Sequence, residues 1–92
     1  MRSSSERVAE AHARLPEGVT LHARPAGALV LEASRFDAEV AVTIGERRAN
    51  AKSILEVLSL GACGGAEVRV TASGQDAAQA VARLAEVLPQ LR

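Results

Sequence analysis

The sequence predicts an α+β fold of order βαββαβα, with three helices on one face of a four-stranded, mostly antiparallel sheet. Three observations predict it. Val40, Val42 and Ile44 alternate with Glu39, Ala41 and Thr43, and Val68, Val70 and Ala72 with Glu67, Arg69 and Thr71, the period of a half-buried strand. Apolar residues recur at helical spacing at Ala26, Leu29, Val30, Ala33 and at Ala77, Val81, Leu84, Leu88, Leu91. Glycine-containing turns at Gly45, Gly61, Gly64-Gly65 and Gly74 separate these runs.

The elements follow in order. Residues 1–6 are polar and are expected to be a disordered tail on a single domain spanning residues 1–92. Ala9, Ala11, Ala13 and Leu15 alternate with Glu10, His12 and Arg14, which predicts a first strand. Val8, Ala11 and Leu15 also fit helical spacing, and alanine is a poor strand former, so a helix stays open there. Pro16-Glu17-Gly18 ends the element. Pro25 suits the first turn of a helix, because its φ is already helical and its missing N–H is not needed there. A strand over Val40–Ile44, a Gly45-Glu46 turn and a short strand near Arg47–Ala51 come next. Ser53 is placed to cap a helix running to about Leu60. Val68–Ala72 is the last strand, and Asp76 can cap the last helix.

Composition narrows the function. The chain has 92 residues, 48% of them hydrophobic, enough for one modest core. Eleven basic residues balance eleven acidic ones, which leaves no electrostatic footprint for a nucleic acid backbone. Phe36 is the only aromatic, so no stacking platform for single strands exists. Cys63 has no partner for an internal disulfide and reads as a small filler in a glycine-rich turn. No run approaches the ~20 apolar residues of a membrane span. A soluble cytoplasmic protein is expected.

Chemistry concentrates at Leu21-His22-Ala23-Arg24-Pro25-Ala26-Gly27. His22 and Arg24 stand at the mouth of the first helix, where unpaired N–H groups and the helix dipole favour an anion. Arg24 adds a planar fork of donors suited to phosphate oxygens. A neutral imidazole nitrogen can attack a phosphoryl donor and hold the group. The alternative is a solvated loop in which the pair merely caps the helix. In the second helix, Ile54, Leu55, Val57, Leu58 and Leu60 exceed one buried stripe. Either the sheet and its neighbours cover them all, or some face solvent as a docking patch. His12 and His22 alone do not make a metal site.

Two blocks resemble a known family. Leu21-His22-Ala23-Arg24-Pro25-Ala26 resembles the active-site signature of the histidine-containing phosphocarrier proteins, HPr, of the phosphoenolpyruvate-dependent sugar phosphotransferase system. Asn50-Ala51-Lys52-Ser53-Ile54-Leu55, with Leu58-Ser59-Leu60-Gly61 and Gly65-Ala66-Glu67-Val68, resembles the family's regulatory-serine segment. The blocks lie about thirty residues apart, and the resemblance covers roughly residues 7–90. It implies an HPr-like open-faced sandwich. It also implies a monomeric carrier, not an enzyme, that needs no cofactor. His22 would take a phosphoryl group on Nδ1 from phosphorylated enzyme I and pass it to enzyme IIA, with Arg24 steadying it. Ser53 would match the site of HPr kinase/phosphorylase. Ile54, Leu55 and Leu58 would match the docking surface. The alternative is an HPr-like regulatory protein, nitrogen-related or signalling in carbon catabolism through Ser53, with little sugar-linked transfer. Phe36-Asp37-Ala38-Glu39-Val40 resembles the nitrogen branch.

The chain departs from the family pattern in three places. Val19 and Thr20 read as an insertion before Leu21, expected to change how His22 meets the helix end. Glu56 stands where the family has Gly or Lys, and is expected to repel an acidic docking face. Gly27 is smaller than the usual side chain and is expected to loosen its helix by ~0.5–1 kcal/mol.

Overall fold

The computed structural model describes residues 7–61 and 64–92. The expectations for the tail at residues 1–6 and for Cys63 fall outside the described residues. The remainder follows the expected order: β1 (Val8–Arg14), α1 (Ala23–Ala33), β2 (Glu39–Ile44), β3 (Arg47–Asn50), α2 (Ile54–Ser59), β4 (Glu67–Ser73) and α3 (Ala77–Val87). A 3-10 turn over Leu88–Gln90 follows α3.

The strands form one sheet in the order β1-β4-β2-β3, and every pairing is antiparallel. Register puts Ala11 opposite Val70, Val70 opposite Val42, and Val42 opposite Ala49. One apolar row therefore crosses all four strands, and the helices cover that face. The other face stays open and carries the next row, His12, Arg69, Thr43 and Arg48. The alternation at Ala9–Ala13 thus prevails over alanine's weak strand propensity, because it lets β1 pair with β4 along its whole length.

The core is built from Leu15, Leu29, Leu84, Leu88, Val42, Val57, Val68 and Val70, each under 2% exposed or nearly so. Between them sit alanines with almost no exposed surface: Ala26, Ala33, Ala77 and Ala80 on the helices, Ala49 on the sheet. Small side chains at these positions allow the layers to approach closely.

Three local expectations are corrected. Helix α1 begins at Ala23, not Pro25, because His22 already has the extended geometry of an N-cap, φ −102° and ψ −163°. Asp76 occupies the N-cap position of α3 but makes no side-chain cap bond. Its carboxylate instead accepts the backbone N–H groups of Asp37 (2.9 Å) and Ala38 (2.8 Å), tying α3 to the entry of β2. Leu88 and Leu91 lie beyond α3, in and after the 3-10 turn, and are buried there. The far ends of α1 and α3 are joined by Arg83, which donates to both oxygens of Glu32 at 3.0 and 3.3 Å.

Candidate functional site

The route into the site starts at Leu15, the last core residue before the β1–α1 loop. Pro16–Val19 forms a tight turn, closed by Val19 N–H donating to the Pro16 carbonyl (3.2 Å), with Gly18 at φ +82°. Val19 packs against the core, and Leu21 is buried at 3% exposure. Between them, the His22 N–H donates to the Thr20 carbonyl at 2.8 Å. Val19 and Thr20 are thus held in successive turns flanked by the packed side chains of Val19 and Leu21. His22 arrives at the N-cap of α1.

At that cap the donors are left open. The His22 carbonyl accepts from Ala26 N–H (2.9 Å), but the imidazole makes no cap bond and is exposed. Ala23 and Arg24 carry backbone N–H groups in the first turn with no acceptor among the described residues, and Pro25 has none to satisfy. The first turn holds no acidic residue. The exposed Arg24 guanidinium has no carboxylate partner among the described residues. The exposed imidazole thus shares the start of α1 with two backbone N–H groups and a guanidinium that have no acceptor among the described residues, and with an uncompensated helix dipole, all of which favour an anion.

Ser53 caps α2 as expected: its Oγ accepts the Glu56 N–H at 3.3 Å. Of the apolar residues on this helix, Val57 and Leu60 are buried, whereas Ile54 (39%), Leu55 (77%) and Leu58 (37%) are exposed. The solvent-facing alternative holds for these three.

Glu56 lies elsewhere. Helical spacing turns it away from Ile54 and Leu58, and its Oε1 accepts the Asn50 N–H at 2.8 Å. The carboxylate fastens α2 to the end of β3, on the flank opposite the apolar patch.

Leu31 was missed in the sequence. It is 72% exposed and follows Arg24, Gly27 and Ala28 along the solvent stripe of α1. A signal was present: Leu29-Val30-Leu31 cannot all lie in one buried stripe. Helices α1 and α2 pack against each other, so both exposed apolar sets belong to adjoining elements.

His12 is not part of this site. It lies on the open sheet face, with Nε2 2.9 Å from Glu10 Oε2 and Nδ1 3.8 Å from Glu67 Oε2. No group of three potential metal ligands occurs among the described residues. A cavity of roughly 600 Å³ opens on the same sheet face, lined by residues such as Arg48, Asn50 and Thr71, and includes neither His22 nor Arg24. No helix among the described residues is long and apolar enough to cross a membrane.

The chain is similar to known proteins over most of its length. Residues 9–90 match the family described as the PTS HPr component phosphorylation site. The phosphocarrier protein HPr of Mycoplasma capricolum is 35% identical over 81 residues, covering 88% of this chain and 91% of that one. The crystal structure of a phosphocarrier protein HPr from Bacillus anthracis is 32% identical with a TM-score of 0.82, covering 88% of this chain and 96% of that chain. HPr-C-His from Thermoanaerobacter tengcongensis is 34% identical with a TM-score of 0.81, covering 87% and 90%.

Proposed function

The chain belongs to the HPr family of the phosphotransferase system, and on that premise we propose that His22 is its phosphoryl acceptor, charged by enzyme I and discharged to enzyme IIA. The observation that carries this reading is the exposed imidazole at a helix mouth, where it, the first-turn N–H groups of Ala23 and Arg24 and the arginine have no partner among the described residues.

The Nδ1 lone pair of neutral His22 attacks the phosphorus of the donor phosphohistidine. The new N–P bond forms as the donor's N–P bond breaks, and Nε2 keeps its proton. No water is consumed, and enzyme I recovers its free imidazole. Charge spread over the three transferring oxygens is met by Arg24 and by the Ala23 and Arg24 N–H groups. In the second step the same bond breaks toward a histidine of enzyme IIA. A site on the surface suits this exchange, because each partner must bring its own phosphorus or imidazole within bonding distance.

Ile54, Leu55 and Leu58, extended by Leu31, serve as the docking surface, since exposed apolar side chains on adjoining helices mark a protein contact. Ser53 is the proposed point of regulation by HPr kinase/phosphorylase. A phosphate there adds about −1.5 to −2 charge beside the apolar patch. The reading of a purely regulatory protein is not favoured, because the curated relative is itself a phosphocarrier.

The test is incubation with enzyme I and phosphoenolpyruvate. We expect one acid-labile, base-stable phosphate per chain, absent in His22→Ala. A wild-type protein that takes no label, or label that persists in His22→Ala, contradicts the proposal.

A further inference from the structure

We infer that Gly64 is a positioning residue for His22, acting through the turn that leads to it. The inference rests on His22 being the acceptor, but its structural part can be tested without that reaction.

Residues 64–66, which lead into β4, lie directly against the start of the β1–α1 loop. Leu15 N–H donates to the Ala66 carbonyl, and Gly65 N–H donates to the Leu15 carbonyl, both at 3.0 Å. Arg14 Nη1 donates to the Gly65 carbonyl at 2.9 Å. These bonds carry the β1–β4 ladder past the end of the strands. Just beyond them the two backbones meet at Gly64. A Cβ there would lie 2.5 Å from Gly18 N, 2.7 Å from the Pro16 oxygen and 3.0 Å from Val19 N. These are backbone atoms that cannot swing aside as a side chain can. Two of them, Pro16 O and Val19 N, form the hydrogen bond that closes the turn.

A methyl at position 64 therefore breaks that turn or pushes it outward. Val19 is three residues from His22, and the intervening backbone is itself a hydrogen-bonded turn between Thr20 and His22. Displacement at Val19 has little slack in which to dissipate. It reaches the imidazole as a change in its placement over the first-turn N–H groups of α1. The docking residues on α2 are separate from this path, so partner affinity should be spared.

The experiment compares wild type with Gly64→Ala, Gly45→Ala and Arg14→Ala. Gly45 is the control: it sits in the β2–β3 turn at φ +60° with nothing near its Cβ position, so alanine there adds backbone strain remote from His22. For phosphoryl transfer from phosphorylated enzyme I, Gly64→Ala should lower kcat about tenfold or more while KM stays within about twofold. Gly45→Ala should change neither. Backbone amide resonances of Leu21, His22 and Arg24 should move in Gly64→Ala and stay in Gly45→Ala. A folded Gly64→Ala with wild-type kcat, or an equal loss in Gly45→Ala, overturns the inference. Should Gly64→Ala fail to fold, Arg14→Ala decides. It removes one exposed tie between the loops and should lower kcat about two- to fivefold at unchanged KM; no change overturns the inference. Should the wild type itself accept no phosphate, the acceptor reading has failed, and the amide resonances alone decide: movement at Leu21–Arg24 sustains the link from Gly64, and none refutes it.

Discussion

Gly27→Ala should stabilise the protein. Gly27 lies inside α1, four residues from its start, where glycine costs ~0.8–1.0 kcal/mol relative to alanine through backbone entropy. The structure decides whether that gain is realised. A Cβ at Gly27 would meet nothing within 4 Å, and its φ lies in the ordinary helical range, so neither clash nor strain opposes it. No contact is gained either, so the entropic term stands almost alone, reduced by any fraying of the first turn. The expected gain is about 0.5–1 kcal/mol. A chain of this size moves by ~4–8 °C per kcal/mol, so the melting temperature should rise by about 2–8 °C. Thermal unfolding followed by circular dichroism checks this. An unchanged or lower melting temperature would refute it, and would mean that α1 is not helical through Gly27 in solution.

Other expectations concern the site and its supports. Arg24→Lys keeps the charge but loses the planar fork, so transfer from enzyme I should slow about tenfold while the protein still takes label; equal rates would remove the fork from the mechanism. Leu55→Ala should leave the melting temperature nearly unchanged, because the side chain is 77% exposed, yet weaken enzyme I binding about fivefold by titration calorimetry. Backbone N–H groups, foremost that of Asp37 and then that of Ala38, hold the Asp76 carboxyl below the usual carboxylate range. Its contribution is therefore complete above the ordinary carboxylate pKa and is lost as pH falls through the lowered one. Urea unfolding from neutral pH down to pH 2 should show this acid loss, and Asp76→Asn should lack it.

The sheet and the helices were legible because each rests on local periodicity. Val68-Arg69-Val70 alternates apolar with charged, and Val40, Val42 and Ile44 recur at every second position, which fixes the face each strand turns to the core. The His22 motif was legible for a related reason: it needs a helix mouth, and Pro25 marks one. What escaped the sequence depends on contacts between distant segments. Asp76 carries the composition of a helix cap, but its acceptors are spent on Asp37 and Ala38, nearly forty residues earlier. Glu56 carries no sequence sign of its partner, yet its carboxylate accepts the Asn50 N–H and fastens α2 to the end of β3. The role of the alanines depends on distant contacts too: Ala26, Ala33, Ala77 and Ala80 are buried and fill the space between layers.

The zipper between Leu15, Gly65 and Ala66 also sets a schedule. His22 leaves the ribosome about forty residues ahead of the loop that holds its turn in place. Strand β1 pairs with β4, from Val8 with Ser73 to Arg14 with Glu67, so β1 waits for β4. Such distant pairings close slowly. A nascent chain thus exposes His22 well before Gly65 and Ala66 are available to bond Leu15.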